Sequence, residues 1–559
     1  MMHVVDIACN EDLMKKKTAT ITACLLAISA ISISNTGAAN AATCATPGNG
    51  YGRLFPNLTG ASFDSTAVRS LATQIMAAPE TNPTPEGEVD AEENYGIPAG
   101  YTYFGQFIDH DLTKDERPND LTTPIDVRTL VNGRTPQLDL DSLYLAGPTA
   151  SPQLYNSDQM HLLEGSLLTG TSDAGARDLP RVVNGMAIVG DGRNDENRIV
   201  AGIHSMFIRF HNQIVDQVIA AHPQWTAAQN FAEARKQVTA VYQNIILQDY
   251  LPRVVGRKTM DSVLQPTRRG TATRLKYYTN CAQMPVEFSV AAYRFGHSQV
   301  RGLYRVNAST DRVPVFSGSF GTPGVDLVGF SPSPSHFAID WSLFLPGGKS
   351  SGGVVQASYK IDASITNSLS LLPLPVSSEG PADLAVRNLL RSSQVGLPSG
   401  QDVARAMGIR PLPDNQILIG KATGDATEAK TITSISSAFA GKAPLWAYIL
   451  AESTAHAYRI ENGAIVGSQR APFTLGPVGG RIVAETFVGL LASDVNSILN
   501  TTSRSMAPRP NSIKALFDAV ERGGGETTRP MPIARPVSSF RENRLGFAPA
   551  RAQQPPARR

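Results

Sequence analysis

Cysteine is scarce in this chain: there are four in 559 residues, and Cys9 and Cys24 both precede residue 42. The other two, Cys44 and Cys281, allow one disulfide but do not by themselves say whether it forms. They are too few for a disulfide framework, and they exclude cysteine-built zinc sites and iron–sulfur clusters. Any cofactor must be held another way. Excess charge is also lacking: 50 Lys and Arg against 48 Asp and Glu leave a formal net charge of +2, too little to make nucleic acid the main partner. No internal repeat and no heptad seam is visible. Past the N-terminal segment, no apolar run is long enough to span a bilayer.

The N-terminus reads as a targeting segment. Three lysines follow Met14, an apolar stretch covers Ile21 to Ile33, and small residues end at Ala39-Asn40-Ala41. That is the layout of a secretory signal peptide, with Met14 as the expected start, residues 1–41 as the signal, and a secreted or periplasmic destination. At the other end, the chain from Gly523 carries seven arginines against two glutamates among many prolines. With little to bury, it is expected to be disordered. The domain expectation is therefore 1–41 signal, 42–505 catalytic domain and 506–559 extension.

Apolar residues recur at three- and four-residue spacing over Ile199–Ala221, Ala227–Pro252, Leu445–Ile460 and Val478–Leu499, which predicts helices. Strand signals are few, the clearest being Thr273–Thr279, and Phe316–Ser351 reads as loop. The expected fold is mainly α, one large helical domain with few short strands.

Four polar clusters stand out. In "YTYFGQFIDHDLT", Gln106, Asp109 and His110 fall on one helical face at i, i+3 and i+4, while Asp111 points about a quarter-turn away. Buried charges of this kind need partners. In "VGDGRNDENRI", Arg193 and Glu196 precede a helix that carries His204 and His211, which read as core and capping histidines. In "EFSVAAYRFGHSQV", His297 follows a glycine, with Arg294 one turn earlier. In "RTPQLDLDSLY", Thr135, Asp139 and Asp141 alternate with Gln137, a common way to present oxygen ligands to Ca²⁺.

These clusters, with "LAVRNLLRSSQVGLPSG" and "LGPVGGRIVAETFVGLL", occur in one order, and in that order the chain resembles the animal-type haem peroxidases of the peroxidase–cyclooxygenase superfamily, most of all their bacterial secreted members. The resemblance runs from about Tyr51 to Leu499. It implies haem b as cofactor, with His297 as proximal iron ligand and Asn388 accepting the hydrogen bond of the proximal ring. It implies His110, Gln106 and Arg193 as the catalytic distal group. Asp109 and Glu196 match the carboxylates that can form ester links to haem, and Arg294 is placed to meet a haem propionate. Asp111, Thr135, Asp139 and Asp141, with the Gln137 carbonyl, match a calcium loop. The implied partners are hydrogen peroxide and a halide, thiocyanate or small aromatic donor.

The resemblance also marks a departure. The mammalian branch has a methionine directly after the ester-forming glutamate, where this chain has Asn197, so a third haem link is excluded and weaker chloride oxidation is expected. Two other readings are weighed against the peroxidase. A fatty-acid dioxygenase of the same superfamily needs a tyrosine three residues before the proximal histidine; that position is Arg294, and the neighbouring Tyr293 is expected to point elsewhere. A non-enzymatic haem and calcium adhesion scaffold has no use for His110 with Arg193, and the chain has no Arg-Gly-Asp tripeptide.

Overall fold

The computed structural model describes residues 50–523, except 79–90, 116–120, 122, 268–269, 279–282, 318–323, 348–354, 374–379, 426 and 502–508. The expected signal segment, Cys44, Cys281 and the tail from 524 lie outside the described residues. The architecture is mainly helical, and its strands form only two-stranded pairs.

The centre is the 24-residue helix Arg198–Ala221, where Asn197 accepts from the Ile199 N–H as N-cap. It packs along Ala227–Ile245, opened by a capping box between Thr226 and Gln229. The second helix continues through one wide turn, Ile246–Tyr250, into Leu251–Val254. Pro252 is thereby tolerated, because it sits in the first turn of that last segment, where its missing N–H is not needed. The wide turn aims Tyr250 at the helix Gly100–Leu112, and a Cβ on Gly105 would meet the Tyr250 hydroxyl at 2.4 Å. Only glycine permits that approach.

The helices Leu445–Ala457 and Pro477–Ser493 are apolar on nearly every face and lie in the core, as all-round hydrophobicity requires. Glu452 in the first accepts the Val478 and Gly479 N–H groups that open the second, an acid at a helix N-terminus. No described helix is long and apolar enough to cross a membrane.

One sequence expectation meets a different outcome. Among the described residues of Thr273–Thr279, only Thr273 is in a strand, paired in the hairpin Leu264–Thr267 with Gly270–Thr273. The N–H groups of Lys276, Tyr277 and Tyr278 instead converge on the buried Glu485 carboxylate, which satisfies them without a ladder. Beyond residue 505, inside the expected extension, Ile513–Glu521 is an amphipathic helix seated on the domain. Phe517 packs edge-on against Trp341 at 4.6 Å, and the Ile513 N–H donates to Asp249.

Candidate active site

A cavity of about 400 Å³ opens between Gly100–Leu112, the Gly192–Asn197 turn, Val286–Val300 and Leu384–Gln394. Phe104 and Phe107 anchor the first of these helices against Phe207 and Tyr242 on the opposite side. With that face buried, Gln106, Asp109 and His110 line the cavity, as their spacing predicts. Asp111 turns away, fully buried, toward the loop that follows residue 134.

His110 is buried, and burial, reinforced by the Arg193 charge, pulls its pKa down to about 4. It is therefore a neutral base at pH 7. Its Nδ1 lies 2.9 Å from Asn194 Oδ1. Arg193 reaches the same wall by a different route. Its Nε and Nη2 are spent on Asp191, and Nη2 also donates to the carbonyls of His110 and Thr113. Among the described residues Nη1 makes no hydrogen bond, so one edge of the guanidinium remains for a ligand.

Asp191 is a residue the sequence reading passed over. It accepts from both Arg193 and Arg134, the latter at 2.6 and 2.8 Å. Burial alone would raise its pKa, but the bonded Arg193, with the charges of Arg193 and Arg134, holds it well below the ordinary carboxylate range. The signal available in sequence was its place two residues before Arg193, which is the geometry of an N-cap over a short turn.

On the opposite wall, His297 lies in a tight three-residue-per-turn helix, Ala292–Gln299, that follows a wide turn, Glu287–Ala291. Burial, and then Arg294, lower its pKa to about 3. Asn388 meets His297 Nδ1 at 2.8 Å, but through Nδ2. In that orientation the ring accepts and carries its proton on Nε2, the reverse of the expected bond. A half-turn of the amide presents Oδ1, lets Nδ1–H donate and frees Nε2 to bind a metal.

Arg294 donates through Nε to the Ser289 carbonyl, and its Nη1 stands 3.7 Å from Asp109 Oδ2. Glu196 also lines the cavity, and burial raises its pKa to about 7, with Arg193 opposing. Tyr293 does not point elsewhere: it lines the cavity and donates to the Tyr250 hydroxyl at 2.9 Å. Arg387 and Arg391, also passed over in sequence, add positive charge to the wall.

Behind the helix Gly100–Leu112, ligand atoms of Asp111, Asp139 and Asp141 come within 4.8 Å of one another. Leu140 adopts a left-handed conformation, φ 58°, between two of them, and its N–H and that of Ser142 donate to Asp111. Thr135 donates through Oγ1 to Asp139 and through its N–H to Asp141. Gln137 is in the same loop, with no described contact from its carbonyl. Burial, and then their mutual repulsion, raises the Asp111 pKa strongly; burial raises Asp139 and brings Asp141 to about 6. Asp141 Oδ1 is buried with no hydrogen-bond partner among the described residues, and Arg134 Nη1 stands 3.7 Å from it. Three such carboxylates suit a hard divalent cation.

Residues 119–439 match the family model for the animal haem peroxidase. That span is more than half of the chain and contains Arg193, His297 and Asn388, while Gln106 to Asp111 precede it. Thyroid peroxidase of Mus musculus is 29% identical over 307 residues, covering 51% of this chain and 31% of that protein. Peroxinectin A of Dictyostelium discoideum is 26% identical over 226 residues, covering 40% and 38%. The chain thus spans about a third of the length of the curated relatives it matches. Among solved structures, peroxidase A of Dictyostelium discoideum superposes with TM-score 0.54 at 17% identity, over 87% of this chain and 95% of that one. A fatty acid alpha-dioxygenase of Arabidopsis thaliana gives 0.55 at 15%, over 89% and 82%. The fold is shared with both structures, and the family match decides between the names: this chain belongs to the animal haem peroxidase family.

Proposed function

We propose that the cavity holds haem b between His297 and His110 and that the protein reduces hydrogen peroxide while oxidising a small donor. The observation that carries this reading is the pairing of two neutral histidines on one cavity, His110 buried beside a guanidinium edge and His297 half-buried and bonded to an amide. The lining fits the group. Arg294, Arg387 and Arg391 supply cations suited to propionates, and Thr102, Asn197 and Ser289 each bring a buried polar atom with no partner among the described residues. His297 fits as iron ligand once the Asn388 amide is reversed, and that bond would then raise its donor strength.

Bound haem iron supplies the centre at which peroxide is split and its oxidising equivalents are kept. The chain's own residues handle protons and charge. His110, uncharged at neutral pH, takes a proton from one peroxide oxygen and returns it to the departing one. Arg193 faces the negative charge that develops there. Asp191 fixes its guanidinium, so little reorganisation is needed at the moment of reaction. Gln106 lines the same side and can hold water or donor. Asp109 and Glu196 are the candidates for ester links. Asp111, Asp139 and Asp141, with Thr135 and the Gln137 carbonyl, are proposed to hold Ca²⁺. The expected setting is secreted or periplasmic.

Haem titration into the purified protein tests the reading. One haem per chain is expected, and His297→Ala should abolish tight binding. Full retention by that variant would remove His297 as the ligand.

The donor follows from position 197. Asn197 caps a helix and cannot form a thioether-derived link, so bromide, iodide or thiocyanate is expected to be oxidised faster than chloride at neutral pH. Equal chloride and bromide turnover would contradict this. The dioxygenase reading draws on Tyr293 at the cavity wall, but the hydroxyl there is already engaged with Tyr250. Oxygen uptake with a long-chain fatty acid, in the absence of peroxide, would favour it.

A further inference from the structure

His204 is buried on the helix Arg198–Ala221, and the chemistry above makes no use of it. One side chain joins it to His110. Asn194 Oδ1 lies 2.9 Å from His110 Nδ1, and Asn194 Nδ2 lies 2.9 Å from His204 Nδ1. An amide has one accepting end and one donating end. The two imidazoles are therefore coupled: Nδ1 of one must carry a proton, and Nδ1 of the other must not.

The amide as placed in the structure corresponds to one of the two arrangements. Oδ1 faces His110, so His110 Nδ1–H donates and its Nε2 keeps a lone pair. Nδ2–H faces His204, so His204 Nδ1 accepts and its proton is on Nε2. Reversing the amide would put the His110 proton on Nε2 and remove the base. All three side chains are buried, with 4%, 0% and 1% exposure for His110, Asn194 and His204, so water is poorly placed to substitute for either bond. Phe107 packs edge-on against the His204 ring at 6.0 Å and 80°. Because Phe107 is one turn before His110 on the same helix, both ends of the relay are held in one packed unit.

We propose that His204 is a positioning residue: by accepting from Asn194 it fixes the amide end presented to His110, and so holds His110 in the tautomer whose Nε2 can take a proton. The proposal rests on the peroxidase reading only for the use made of that nitrogen.

The test reads tautomers directly, by long-range ¹H–¹⁵N correlation of ¹⁵N-histidine-labelled, haem-loaded protein in its diamagnetic ferrous carbonyl form. His110→Gln assigns the His110 signals. Wild-type protein is expected to show His110 protonated on Nδ1 and His204 on Nε2. A wild-type His110 protonated on Nε2 would overturn the proposal with no variant needed. Glutamine and methionine at 204 are close in size, and only glutamine offers a strong acceptor to the Asn194 amide. His204→Gln should keep the His110 tautomer and most of the peroxide rate. His204→Met should give mixed tautomers and a rate lower by about threefold to tenfold, because only part of the population holds the base. An unmixed, wild-type tautomer in His204→Met would also overturn it. A correct wild-type tautomer in a protein that ignores peroxide would support the relay and sink the peroxidase reading instead.

Discussion

Replacing His110 with glutamine is expected to lower the second-order rate of reaction with hydrogen peroxide by roughly 10²- to 10⁴-fold, the range typical of a general acid–base group. Haem should remain bound, because His297 and the arginines of the wall are untouched. Glutamine can still donate to a neighbour, but it cannot take a proton at neutral pH. Arg193→Gln should cost somewhat less, about 10²- to 10³-fold, the usual loss on removing one charge-stabilising donor. The two defects should not add, since both act on the same departing oxygen. Rapid mixing of each variant with peroxide measures the rates. A His110→Gln rate within about threefold of wild type would show that the base is elsewhere.

Removing the calcium proposed for the Asp111, Asp139 and Asp141 site is expected to have the second-largest effect. With no cation, Asp111, Asp139 and Asp141 repel one another in a buried loop, and Asp111 rises strongly in pKa. An ion at 100 to 1,000 times its dissociation constant would contribute about 3 to 4 kcal/mol of stability. Two paths carry its loss to the active site. Asp111 follows His110 directly, and Arg134 stands between Asp141, at 3.7 Å, and Asp191, at 2.6 Å, which holds Arg193. Chelation should therefore lower both the unfolding midpoint and the peroxide rate.

The sign of the pH dependence follows from the raised carboxyl values. In calcium-free protein, a carboxyl whose folded pKa is raised favours folding below its unfolded value and loses that contribution as pH rises through the folded one. For Asp141 the window runs from the ordinary aspartate range up to about 6. Protons compete with calcium over the same window. The gap between loaded and stripped protein should be widest above pH 7 and narrow toward pH 4. Melts with and without chelator at pH 7.5 and 5 measure it, and identical melts at pH 7.5 would remove calcium from the account.

The sequence was most informative where a single period decides geometry. Gln106, Asp109 and His110 share a face because i, i+3 and i+4 do so on any α-helix, and burial of Phe104 and Phe107 chose which face. Where the local helix type changes, the reading loses its ruler. Arg294 and His297 stand one full turn apart in the tight helix Ala292–Gln299, and nothing in "AAYRFGHS" announces that winding. The same holds for the wide turn that places Tyr250. Asp191 and Asn194 were in view but looked like capping residues, because their importance comes from partners 57 to 84 positions away. Glu485 illustrates the converse: a strand-like segment was diverted by an acid more than 200 positions distant. The helix Ile513–Glu521 was hidden by the arginine-rich context around it, although Ile513, Leu516, Phe517 and Val520 form a regular apolar stripe.

The central claim is that His110 and Arg193 face a haem on which peroxide reacts. Stopped-flow absorbance of the haem-loaded protein, mixed with a small excess of hydrogen peroxide, tests it most directly. The account predicts a rapid fall of the Soret band that bromide or a phenol reverses. A Soret band that does not change would contradict the assignment of His110 and Arg193 and leave the cavity with another purpose.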